Sequence, residues 1–453
     1  MIAALLNPIA IVLATLCLQW VALSSAGTFS LKVPYVALAF VTIYAATGPR
    51  KLSAAIRFGR ANLFWLVPFA VYLAILAAVL SGTPGASIAP RQTFYVISTI
   101  ALGGCIAATP RLSAVLRIGS IVGLFVLLAA VEIAARSIGL SWIDAISAFL
   151  QGNFNYVIYT FLRQVFNAVN SDPGDVVAAA AKNDVAVSVL VLALLVRSSS
   201  RNPARDWVGM AILAVAFGLL VLLNTRSVLI VAAFSLCLAA AVGAAFRPSQ
   251  SIPSLLAKGT LAVGVAVIAV AYSLAASAAS GILGDRFAFD DYSSAVRLVQ
   301  YEAAFDAIEN HPLTGVGYFE VDAHVIHNLF LSAWVHTGVA GFALVVIFYI
   351  AIVAAWLTFI ARTVTRRGHW VLPIAPEWLA SLPIMPLFRV WLSGDAGHLF
   401  FGEWVSLAIF FGCILANRMR VERRQALLRS LRRARAMPTP LPQEKERVAC
   451  IAN

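Results

Sequence analysis

Four of the six histidines in this 453-residue chain fall within 26 positions, at His311, His324, His327 and His336. Around them stand Asp285, Asp290, Asp291, Glu302, Asp306, Glu309, Glu320 and Asp322, a density that a passive spacer does not need. Neutral imidazole accepts a proton near neutral pH, so such a cluster could activate a hydroxyl. His327, His324 and His311 compete for that role against the plainer reading of solvated surface histidines. Two arginines join them as candidates. Arg226 lies in Asn224-Thr225-Arg226-Ser227 between two apolar stretches, and Arg297 lies just ahead of the histidines. A desolvated guanidinium needs an anionic partner. Arg226 could instead snorkel to a membrane surface, and Arg297 could pair locally with Glu302 or Asp306.

A second polar region, 139–175, carries Trp142, Phe149, Phe154, Tyr156, Tyr159, Phe161 and Phe166 among Gln151, Asn153, Asn155, Arg163 and Gln164. Rings stack on sugar faces while amides and guanidinium groups bond hydroxyls, which suits a glycan platform. The same composition also makes an interfacial aromatic belt. Arg91, Arg389 and the pair Asp395 and His398 are weaker candidates, and Glu132 reads as a local ion pair with Arg136.

The elements that must position these groups are membrane helices. The chain is 61% hydrophobic and 12% charged, with mean hydropathy +0.89, which excludes a soluble globule. A helix needs roughly 20 apolar residues to cross a bilayer, and about twelve stretches approach that length. They fall near 2–23, 33–47, 63–81, 93–109, 115–138, 176–196, 207–223, 228–246, 255–279, 329–360, 378–392 and 399–416. The fold expected is an all-α polytopic bundle over 1–416 with a basic tail, 417–453. The first stretch has no basic residue ahead of it and is read as a membrane helix, not a removable signal.

Alternate connectors concentrate most of the 33 Lys and Arg on one side, together with the Arg-rich tail. The positive-inside bias puts that side and both termini in the cytoplasm. The tail reads as a basic helix on the anionic leaflet followed by a disordered Pro-rich end. The polar regions 139–175 and 281–327 then face outward. The net charge of +13 is spread over connectors and tail without a groove-reading motif, so nucleic acid is not an expected partner. Cys17, Cys105, Cys237, Cys413 and Cys450 show no paired spacing, and no metal or cofactor is expected.

Within the second outer region, Ser293 or Ser294 could cap a helix that Asn310-His311-Pro312 stops, with Arg297 and Tyr301 sharing a face. Leu313-Thr314-Gly315-Val316-Gly317 makes a tight turn, and His327-Asn328 opens the next membrane helix. Gly338 and Gly341, three apart, suit close helix packing.

The run Arg297-x-x-x-Tyr301-x-x-Ala304, His311-Pro312-Leu313-Thr314-Gly315-Val316-Gly317, His327-Asn328, nine residues, and Gly338-Val339-Ala340-Gly341 resembles the signature of bacterial O-antigen ligase and polymerase-like membrane proteins, here over 293–345. The resemblance implies transfer of a polyprenyl-diphosphate-linked glycan to an acceptor hydroxyl at the periplasmic face of the inner membrane, without nucleotide sugar or metal. It implies His327 as the base and Arg226 and Arg297 as partners of the diphosphate. Asn328, Tyr301, His324, His311 and Arg163 are then possible glycan or acceptor contacts. Ligases of the family often carry Thr where this chain has Gly341, so ligase and repeat-unit polymerase both stay open. The acceptor is lipid A core for the first and a second lipid-linked glycan for the other. A flippase or transporter shares the span count, but it calls for midplane polar residues and paired half-repeats.

Overall fold

The computed structural model describes residues 6–26, 29–153, 156–169, 175–200, 206–223, 225–246, 292–319, 328–365, 370–392 and 401–436, with 4, 326 and 399 singly. The chain is all but wholly helical there. α1 (Pro8–Thr15) starts at Asn7, whose Oδ1 accepts from Ile9 N at 3.0 Å, and passes through a 3-10 turn to Leu18. The buried Gln19 amide donates to Leu16 O and Ser188 Oγ, which fastens the end of this helix. An antiparallel hairpin, β1 (Ala22–Ala26) and β2 (Phe29–Lys32), follows. Over the described part of the expected span 2–23 the chain forms a short helix, a 3-10 turn and the first two residues of β1.

The remaining helices are α2 (Val33–Ala46), α3 (Pro49–Ala61), α4 (Leu63–Val79), α5 (Ile88–Ala108), α6 (Leu112–Ser137), α7 (Trp142–Leu150), α8 (Leu162–Val169) and α9 (Asp175–Ser198). Then come α10 (Trp207–Leu223), α11 (Arg226–Phe246), α12 (Tyr292–Asn310), α13 (Leu329–Thr365), α14 (Pro376–Leu379), α15 (Ile384–Leu392) and α16 (Phe401–Ala436). Among the described residues four helices are long and apolar enough to cross a membrane, or five if α3 and α4 form one broken span. The apolar stretch 255–279 lies outside the described residues, as do the tail beyond 436 and Asp395 and His398.

α3 meets α4 at 83°. Asn62 holds the corner, donating to Phe58 O at 2.8 Å and accepting from Trp65 Nε1 at 3.0 Å. Arg50, Arg57 and Arg60 are exposed on α3 while Ala54, Ala55 and Phe58 are buried, the division of an interfacial amphipathic helix. The basic run after Ala416 is helical and continues α16 unbroken to Ala436. No Gly or Pro interrupts 413–436, and Ala, Leu, Arg and Glu all favour helix.

Lipid is as apolar as a helix face, so packing must come from close fit. Gly104 lies against the Ala55 backbone, Gly119 against Ala10 and Gly123 against the Leu13 carbonyl, where any side chain would collide. Aromatic rings fill the middle: Phe69 sits 4.6 Å from Phe348 and 5.2 Å from Trp404, and Trp65 stacks on Phe411 at 5.4 Å.

The bundle has two distinct ends. At one, Trp391 of α15 packs on Phe330 of α13 at 4.6 Å, Arg389 meets Glu403 at the start of α16, and Gln92 of α5 bonds Leu399 O and Trp404 Nε1. Phe388 lies 4.9 Å from Phe234, so the first half of α11 belongs there too. At the other end Arg420 donates to Thr109 O and Pro110 O, Ala375 N to Ser198 O, and Val371 N to Asn417 Oδ1.

Candidate functional site

The turn 311–317 docks into a break in α13. Gly338 has φ +68°, outside helical geometry, and this frees the Val335 carbonyl and the Val339 N–H from the helix ladder. Both are taken up by the turn: Val316 N donates to Val335 O at 2.7 Å, and Val339 N donates to Pro312 O at 3.1 Å. Trp334 Nε1 donates to the same Pro312 carbonyl at 3.0 Å. A side chain on Gly338 would strike the Leu313 carbonyl, and one on Gly315 would lie 2.6 Å from Gly338 N. Gly315 and Gly317 also have positive φ. The motif glycines therefore form one interlocked clamp. Gly338 does not act as the small-residue packing position its spacing with Gly341 suggested.

His336 belongs to this clamp. It is fully buried, and its Nδ1 donates to the Gly317 carbonyl, which can only accept and so fixes the proton on Nδ1. Tyr318 stacks on its ring and rests on Gly85, where an added Cβ would come within 2.6 Å. The fourth clustered histidine is structural, a role its sequence position did not reveal. His311 is exposed, with its N–H bonded to Ala307 O at the end of α12.

The clamp also sets the level of everything before it. α12 ends at Asn310, and the first half of α13 ends at Gly338, so both helices run toward the same point. Ala304 and Ile308 pack against Val335, with Tyr301, Leu331 and Trp334 around them. At a rise of about 1.5 Å per residue, Gln300 and Asn328 each stand about 15 Å back from the clamp. Asn328 is the N-cap of α13: its Oδ1 accepts from Phe330 N at 2.9 Å and Leu331 N at 3.1 Å. His327, the residue before this cap, and His324 lie outside the described residues.

On α12 the Arg297 Nε is buried and has no hydrogen-bond partner among the described residues. No ion pair joins it to Glu302 or Asp306 there. Gln300, one turn from Arg297 and not suspected from the sequence, is fully buried, and neither its oxygen nor its nitrogen is bonded. Ser332 Oγ on α13 is in the same state. The helix begins at Tyr292, so Ser293 and Ser294 lie inside its first turn and not at its cap.

Arg226 is the first residue of α11. The Thr225 carbonyl accepts from Val228 N and Leu229 N, while its buried hydroxyl has no partner among the described residues. A cation at a helix N-terminus opposes the helix dipole, and an anion shared between the two relieves that opposition.

In the aromatic region 139–175, part of the ring set is packed into the bundle. Ser141 and Asp144 form a capping box that starts α7, and Trp142 donates to Glu132 Oε2 and Leu128 O. Phe161 and Phe166 are fully buried, with Phe166 5.1 Å from Trp20 and Phe161 5.3 Å from Trp142. Phe161 and Phe166 are core and offer no face to a sugar. Arg163 lies in α8, and Glu132 pairs with Arg136 at 2.6 Å as its spacing indicated. Arg389 and Glu403 form an ion pair at 3.3 Å with both side chains 1% exposed. Glu403 was not singled out in the sequence, although an acid in so apolar a run was a legible sign.

No curated protein matches the chain. Residues 186–346 match the family model described as O-Antigen ligase, a segment that begins within α9 and closes just past the clamp glycines. It contains Arg226, Arg297, Tyr301, His311, His324, His327 and Asn328 but not Arg163. The clamp and the helix segments it joins lie within this matched stretch, which is similar to the O-Antigen ligase family.

Proposed function

We propose that this protein transfers a polyprenyl-diphosphate-linked glycan to an acceptor hydroxyl at the periplasmic face of the bacterial inner membrane, as an O-antigen ligase. The bundle is read as about twelve spans with both termini cytoplasmic. The observation that carries the reading is the clamp. It aligns Arg297 on α12 with the mouth of α13 where His327 precedes the capped Asn328, inside the segment that matches the ligase family.

In the reaction His327 takes the proton of the acceptor hydroxyl as its oxygen bonds the anomeric carbon. The bond from that carbon to the diphosphate oxygen breaks, and its electron pair leaves with the lipid diphosphate, inverting the anomeric centre. Arg297, and Arg226 at the N-terminus of α11, stabilise the charge that grows there. The unpaired Arg297 Nε and Thr225 hydroxyl support this reading, since an arginine held by a local carboxylate would be less available. Ligase and polymerase share this chemistry and differ in acceptor.

The test is transfer in membranes lacking the native protein, supplied with lipid-linked glycan and lipid A core. Wild type is expected to form glycan joined to core, and His327→Ala at equal membrane level to form about 10²- to 10⁴-fold less. Undiminished transfer by the variant sinks the role of His327. A longer lipid-linked chain in place of a core-linked product identifies a polymerase.

A further inference from the structure

We propose that Gln300 is a sugar-binding residue that contacts the first ring of the glycan, the one attached to the diphosphate. The inference rests on the transferase reading above and extends it to a residue that is not one of the fixed positions of the sequence signature.

Gln300 combines two properties. It is 0% exposed, and both its amide oxygen and its amide nitrogen lack a hydrogen-bond partner among the described residues. A buried amide normally has partners, because leaving them unmade forfeits the hydrogen bonds it had with water. An apolar residue would fill the same seam without that penalty. The next positions on this face, Ala304 and Ile308, are apolar and pack on α13 as such a seam requires. Gln300 departs from the pattern one turn before it, at the level of Asn328.

Position and chemistry then select the ligand. Arg297 lies one turn away on the same helix and is assigned to the diphosphate. Asn328 stands at Gln300's level on the neighbouring helix, one residue after the proposed base. The substrate group lying between a diphosphate and the attacking hydroxyl is the first sugar ring. A diphosphate offers only acceptors at neutral pH, which would use the amide nitrogen and leave the oxygen unmatched. A sugar hydroxyl both donates and accepts, so a pair of ring substituents matches both ends of the amide. The Ser332 hydroxyl, also buried and unpartnered on the facing helix, adds a second group of the same kind.

Gln300→Met keeps the shape and removes both polar ends. Purified wild type and variant are compared by thermal unfolding, alone and with two lipids: polyprenyl diphosphate, and polyprenyl diphosphate carrying one hexose. KM for a glycan-bearing donor is measured alongside. The variant is expected to melt at the same temperature or higher, since an unsatisfied amide has been removed. It should keep the stabilisation by sugarless diphosphate while KM for the glycan-bearing donor rises about tenfold or more, near 1.4 kcal/mol. Unchanged KM, or equal loss of stabilisation by both lipids, overturns the assignment to sugar. A lower melting temperature or failure to fold overturns it too, because the amide would then be bonded within the fold. If neither lipid stabilises wild type, the transferase reading itself falls. Gln300→Glu, acceptor-only when ionised, should recover less than half of the lost affinity.

Discussion

Both ends of the helix bundle are rich in arginine and both hold an ion pair, Arg117 with Asp206 at one and Arg389 with Glu403 at the other, but they differ in the buried polar groups around those pairs. At the end that holds Ser198, Asp206, Ala375 and Arg420, most polar groups are matched, although Arg197 Nε is buried without a partner among the described residues. Arg117 makes a two-pronged pair with Asp206 at 2.7 and 2.9 Å, Arg420 donates to two backbone carbonyls, and Arg197 lies over the Trp378 ring with Nη1 on Asp206 O. At the clamp end, Arg297 Nε, Thr225 Oγ1, Ser332 Oγ and both ends of the Gln300 amide are buried without partners among the described residues. Each such group costs about 1–3 kcal/mol. Counting charge along the chain gives only an expected orientation. Only the state of each charge separates a scaffold end from a working end, because local rules are broken where function is housed.

The strongest way to break this contrast is to remove the clamp that creates the working end. Gly338→Val puts a β-branched side chain at φ +68° and against the Leu313 carbonyl, so a loss of more than about 3 kcal/mol is expected. Size-exclusion yield in detergent reads it directly. A well-folded, active variant would show that the break in α13 does not hold the site together. Next in size, Arg297→Ala should lower glycan transfer about 10²- to 10³-fold while yield and melting temperature stay at wild-type values. Arg117→Ala sharpens the contrast from the opposite side. It should leave kcat within about twofold and remove about 1–3 kcal/mol of stability by stranding Asp206, measured by thermal unfolding beside a transfer assay.

The legibility of the chain followed how local the determining physics is. α12 could be placed from residues alone, since Pro312 forbids helix at His311 and the observed helix ends at Asn310. The opening of α13 at Asn328 was likewise visible, as Asn is a strong cap. Gly338 was noticed for the wrong reason. Its spacing with Gly341 suggests helix packing, whereas its positive φ answers hydrogen bonds from a turn more than twenty residues earlier in the chain. The aromatic region failed similarly: composition cannot tell that Phe166 faces Trp20, which lies far away in sequence. Gln300 was missed because a single amide in a polar stretch carries no pattern, and only the absence of a partner gives it meaning. Spacing itself held more than was read from it. Gln300 to Asn310 and Asn328 to Gly338 are equal intervals, which is how the clamp brings α12 and the mouth of α13 level.

The smallest expected effect lies in the pH dependence of the matched end. Burial pushes the Asp206 carboxyl up, but hydrogen bonds from Arg117 and the Gly209 N–H outweigh it and hold the group below the ordinary carboxylate range. The folded state therefore binds this proton less readily than the unfolded chain does. Its contribution is complete above the unfolded value, about 3.9, and disappears as pH falls through the lower folded value. Melting temperature should hold steady from pH 7 to about 5 on account of this group and decline below about pH 4. Asp206→Asn should melt lower at pH 7 and show a shallower acid decline. The two curves should converge at the acid end, where wild type has lost the charge that the variant never had. Parallel curves would mean that the pair with Arg117 contributes nothing to stability, and the scaffold end would then be no better matched than the clamp end.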